Sequence, residues 1–203
     1  VIDVSNRQHL KQHTLIEVEE AIYDVALAGR YGYLLVGGDQ LQLFDLQNAQ
    51  PTTPISTLPL TSSARTVAIK GQYAYLGGEG GLQVVQLINP RTPQVVAQLA
   101  QDQDIFAMTV AGDQLYALER TDRWNSASYL TIYSLATPAA PTQLGRYGPD
   151  YFSTMIVDQQ QAYLATSQGG LSIVDVSNPA TPTLLGRHPL TGIKGIIAKP
   201  PYL

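Results

Sequence analysis

Three aspartates, Asp3, Asp45 and Asp175, stand at matching places in short apolar runs and are the first residues whose spacing invites a chemical reading. A ring of carboxylates would suit Ca²⁺. A carboxylate just ahead of a turn also accepts hydrogen bonds from the backbone N–H groups that follow it. Gln86 and Ser134 fill the same place in two further runs, which fits turn caps better than a set of ligands. His9 and His13 stand four apart, as ligands on one helix face would, but the surrounding segment reads as a loop. Asp102 and Asp104 form another carboxylate pair, without further oxygen ligands beside them. No metal site is assigned. No Ser lies in a Gly-x-Ser-x-Gly elbow, and no glycine run matches a phosphate-cradling or dinucleotide loop. No catalytic residue and no cofactor are assigned.

Binding chemistry concentrates elsewhere. The stretch ERTDRWNSAS, between Leu118 and Ser128, holds the only Trp of the chain, Trp124, with Arg120, Asp122 and Arg123. A loop longer than its siblings and carrying Trp and Arg has the composition of a binding hot spot. The same Trp could instead pack over a neighbouring element with its N–H bonded to a carbonyl.

That this loop has siblings follows from a repeat. Tyr33, Tyr75, Tyr116 and Tyr163 are separated by 42, 41 and 47 residues, and the centres of the apolar runs at residues 3, 45, 86, 134 and 175 keep nearly the same step. The long step holds its surplus in the Trp124 stretch. In the cleanest copy, four short runs (Thr66 to Lys70, Tyr73 to Gly77, Leu82 to Leu87 and Val95 to Leu99) are bounded by turn residues. No window keeps a helical period, and Leu15 to Ala28, with its three glutamates, is read as strand from its place in the repeat. Proline pairs three apart (Pro51/Pro54, Pro90/Pro93, Pro138/Pro141, Pro179/Pro182) recur once per copy, as stiff connectors would.

Four antiparallel strands in about 42 residues, repeated radially, predict an all-β fold, a β-propeller of four-stranded blades. The blades expected are about 23–64, 65–106, 107–152 and 153–193, in one domain over 1–203. A composite blade from 194–203 plus 1–22, with a first strand at Lys194 to Ala198 and a fourth at Leu15 to Val18, would close a five-bladed ring. The alternative is a fragment of a larger propeller. The connector after each second strand then shares an end with the segments that precede first strands. This places Trp124, Arg120, Arg123 and Asp122 on one face with Arg65, Phe106, Tyr151, Phe152 and Tyr23.

GGLSIVDVSNPATPTLLG, residues 169–186, resembles the LVIVD repeat, and residues 80–99 share the pattern. The resemblance implies a propeller of the kind found in bacterial and archaeal proteins, many of them on the cell surface. The reading is a non-catalytic binding or scaffold module, extracellular, whose partner is another protein or another domain of the parent chain. The rival is an enzyme, or a small-molecule or sugar site, in the axial funnel, using Asp24, Asp104 and Arg65. Only 14% of residues are charged, the net charge is −4, and the 12 basic residues are scattered, which speaks against nucleic acid. Cys is absent, so disulfides and thiolate sites are excluded. No segment approaches the ~18 apolar residues of a spanning helix.

Overall fold

The computed structural model describes residues 15–47, 53–121, 127–190, 193 and 195–196, and the backbone of 2–3 and 11–12. A short antiparallel pair, β1 (Ile2–Asp3) and β2 (Lys11–Gln12), precedes four sheets of four strands. The first sheet holds β3 (Ile22–Ala28), β4 (Tyr31–Val36), β5 (Gln40–Asp45) and β6 (Ser56–Pro59). The second holds β7 (Ala64–Lys70), β8 (Tyr73–Gly78), β9 (Gly81–Gln86) and β10 (Gln94–Leu99). The third holds β11 (Asp104–Ala111), β12 (Gln114–Arg120), β13 (Ser128–Ser134) and β14 (Thr142–Asp150). The fourth holds β15 (Phe152–Asp158), β16 (Gln161–Thr166), β17 (Leu171–Asp175) and β18 (Thr183–His188). Each is an antiparallel meander in chain order, and no helix occurs among the described residues.

Alternation explains why these runs become strands that need neighbours. In β8, Tyr75 points toward the third sheet and Leu76 toward the first, and both are fully buried. A sheet apolar on both faces must be covered on both. First strands pack on first strands (β3 on β7, β7 on β11, β11 on β15), so they line the inside of an arc of blades. Three apolar clusters fill the spaces between successive blades. The four sheets are blades of a β-propeller.

The repeat residues serve this stacking. Tyr75 reaches across to donate its hydroxyl to the Pro138 carbonyl of the next blade, at 3.1 Å. Ser56 does the same toward Pro90 at 2.6 Å. The proline-paired turns are thus where each blade leans on the one before it. Asp45 and Asp175 are turn caps, accepting from Gln47 N (3.1 Å) and Ser177 N (2.8 Å), and Ser134 accepts from Ala136 N (3.2 Å). The Ser177 bonds hold the Asp175 carboxyl below its ordinary range. Arg30 does so first for Asp45, with Gln47 adding to it. The side chain of Asp3 lies outside the described residues. In the first hairpin of each blade a left-handed residue makes the turn: Gly29, Gly71 and Gly112, and in the last blade Gln159 with φ 53°.

Two expectations at the ends change. Leu15 to Val18 is not a fourth strand: the partner of β1 is β2, and residues 15–18 run without a ladder. Ile16 and Val18 nevertheless pack on Leu34, Val36 and Phe44, because that flank of the first blade is apolar. Gly195 and Ile196 belong to no strand, against the first strand expected over Lys194 to Ala198. The remainder of the composite blade, with His9 and His13, lies outside the described residues.

Candidate binding face

Every first strand carries a β-bulge within two residues of its start, between Ile22/Asp24, Ala64/Thr66, Ile105/Ala107 and Phe152/Thr154. Bulges unpair one residue and re-aim its side chain. The four residues so placed are Tyr23, Arg65, Phe106 and Ser153. Three of them were expected on one face from loop position, just ahead of the first strands, but they lie within those strands, and the bulge brings them there.

The end of the blade is as reasoned. Leu60 N and Ala64 N donate to Asp39 O and Gly38 O, so the connector between blades sits against the turn after the second strand. At this end Asp104, buried, takes Arg120 Nε at 3.0 Å and an Arg65 amine at 3.3 Å. Arg120 lies over the Phe106 ring, 4.9 Å from its centroid, and Arg65 also reaches Glu79 at 3.0 Å. Two arginines from neighbouring blades are thus held by one carboxylate, and an aromatic face backs one of them. A guanidinium so clamped has lost most of its rotamer freedom before any partner arrives. The Asp104 Oδ1 atom is buried without a well-aligned hydrogen bond.

Tyr23 and Tyr151 expose 55% and 38% of their surface at this end. Phe152 differs from expectation in its surroundings: it is buried between the third and fourth blades, 6.2 Å from the Tyr147 ring, because the first residue of β15 points into the interblade core. Trp124, Asp122 and Arg123 lie outside the described residues. Arg120, at the end of β12, fixes where their loop leaves the blade.

The carboxylates proposed for an axial funnel are engaged. Asp24 accepts from Val25 N and, across the blade boundary, from Val67 N, both at 2.8 Å. That bridge makes it a strut between first strands. Asp102 lines a separate cavity of about 320 Å³ with Gln103, Glu119, Tyr133, Gln143 and Arg146, and does not join Asp104. In this cavity Glu119 is buried and accepts from Thr131 (2.6 Å) and Tyr133 (3.2 Å), with Arg146 at 3.2 Å. Arg146 in turn lies 3.6 Å from the Tyr129 ring centroid. Burial, then the Glu119 charge, push the Tyr133 hydroxyl above its ordinary range. Sequence reasoning missed this group. Its signal was available: Glu119 takes the place of Val36, Gly78 and Thr166 in the other blades.

Comparison with known proteins places this geometry. The model of the LVIVD repeat matches residues 62–99 and 155–188. No curated protein sequence matches the chain. Among solved structures, the computationally designed Ika4 protein is similar at 11% identity and a TM-score of 0.64, over 82% of this chain and 99% of its own. The periplasmic gluconolactonase PpgL of Pseudomonas aeruginosa is similar at 13% identity and a TM-score of 0.64, over 84% of this chain and 55% of its own. The β-propeller domain of Cps50 (Swd1) from Myceliophteria thermophila is similar at 14% identity and a TM-score of 0.60, over 82% and 58%. The chain thus spans a little over half the length of these two natural structures. These identities speak for the fold alone: the chain is a β-propeller that carries matches to the LVIVD repeat at residues 62–99 and 155–188.

Proposed function

We propose that the chain is a non-catalytic binding or scaffold module at the cell surface, which takes a protein, or another domain of its parent chain, on the bulge-bearing end of the blades. The observation that carries this reading is the clamp of Arg65 and Arg120 on Asp104, with Arg120 over Phe106 and two half-exposed tyrosines at the same end. Pre-ordered arginine and tyrosine side chains give much of the energy in protein interfaces. Asp122, Arg123 and Trp124 follow Arg120 closely in the chain, and this reading counts them with the same face.

The test is affinity capture from envelope extracts of the source cells, with the wild-type chain and a Tyr23→Ala/Trp124→Ala/Arg123→Ala variant run in parallel. The reading expects a defined protein retained by the first and lost by the second, at unchanged melting temperature. Equal capture by both, or a variant that loses stability in step with capture, refutes it.

A further inference from the structure

The first and last blades present faces that have already met three times inside the chain. Val67 and Ile69 of β7 pack against Tyr33 and Leu43 of the first blade. Met108 and Val110 of β11 pack in the same way against Tyr75 and Val84. Met155 and Val157 of β15 pack against Tyr116 and Ile132. The matching residues of β3 are Val25 and Leu27, and these are 51% and 71% exposed, with Ile22 beside them at 44%. Ile16 and Val18 pack on Leu34 and Phe44 on the outer flank of this blade, and among the described residues nothing covers Val25 and Leu27 of its inner strand.

At the other end, the matching residues of the covering face are Tyr163 and Ile173, half-buried where Tyr33, Tyr75 and Tyr116 are buried. Glycines report the same asymmetry. A methyl group at Gly145 in β14 would stand 2.2 Å from the Pro179 carbonyl of the next blade, whereas one at its repeat equivalent Gly186 in β18 meets nothing within 4 Å. No packing like that between successive blades joins the fourth sheet to the first among the described residues.

We propose that the occupant of the bare β3 face is a second copy of this chain, seated head to tail, with its Tyr163 and Ile173 covering Val25 and Leu27. The contact continues an interface established three times within the chain, between side chains of the same kinds at the same repeat positions. Two copies related by a twofold axis make it twice, which closes the ring and leaves neither apolar face in water.

Light scattering coupled to gel filtration tests this across a concentration series. The wild type runs at twice the 22.0 kDa of one chain. Leu27→Asp and Ile173→Asp each weaken self-association about 100-fold or more, the scale of an interface hot spot. Leu27 is exposed in the single chain, so its variant folds even where Ile173→Asp does not, which circular dichroism checks. A wild type that stays monomeric throughout overturns the proposal, as do variants that dimerise like wild type. So does a monomer whose β3 amides are protected from hydrogen exchange by its own terminal segments.

Discussion

Replacing Asp104 by Ala leaves Arg65 and Arg120 facing each other across an empty site. At an effective dielectric near 20, each contact of 3.0–3.3 Å carries a gross Coulomb attraction of about 5 kcal/mol, set against desolvation of several kcal/mol per buried ion. Breaking a fully buried pair costs about 3–5 kcal/mol, and an exposed one below about 1. Asp104 is at the buried limit, its side chain 7% exposed, while Arg65 and Arg120 are 18% and 26% exposed and can turn toward water. The expected cost is therefore intermediate, about 2 kcal/mol. Urea unfolding of Asp104→Ala and wild type measures it, with Arg65→Leu as the control that removes only one of the two arginines. That control should cost less, because Asp104 keeps Arg120. A loss under about 0.5 kcal/mol for Asp104→Ala would show the arginines are not held by this carboxylate, and the pre-ordered face argued from it would fail.

Two further outcomes follow from the blade boundaries. Burial, and then the neighbouring Tyr73, push the Tyr75 hydroxyl up to about 12, so between pH 10 and 12 the unfolded chain has lost a proton that the folded chain still holds. Stability therefore falls as pH rises through that window, and Tyr75→Phe shallows the slope of urea midpoint against pH while costing about 1 kcal/mol at neutral pH through its lost bond to Pro138. Equal slopes would refute the assignment. Gly145→Ala drives a methyl group against the Pro179 and Ala180 carbonyls and should cost about 1–3 kcal/mol in the same assay, an unchanged midpoint being the contrary result.

Regularity was legible because stacking imposes it. Tyr33, Tyr75 and Tyr116 recur because each fills the same interblade space, and Asp45 and Asp175 recur because each closes the same turn. That the turn after a second strand shares an end with the connector between blades was legible by meander geometry, which puts alternate connectors together whatever their sequence. Phe152 was misjudged because position along a strand does not say which side of a bulge a ring falls on. The Glu119 group was missed because its partners come from β12, β13 and β14, far apart in the chain and joined only once the sheet forms.

Fold class, repeat length, blade content and turn caps follow from the sequence alone, since they depend on alternation and on turn residues acting within a few positions. Which charges meet was decided only by tertiary structure. Arg65 and Arg120 reach Asp104 because two blades stand side by side and a bulge turns one residue out of its ladder. The exposure of Val25 and Leu27 among the described residues was likewise legible only there, because burial belongs to a face and its neighbour together, and these two look no different in sequence from Val67 and Ile69.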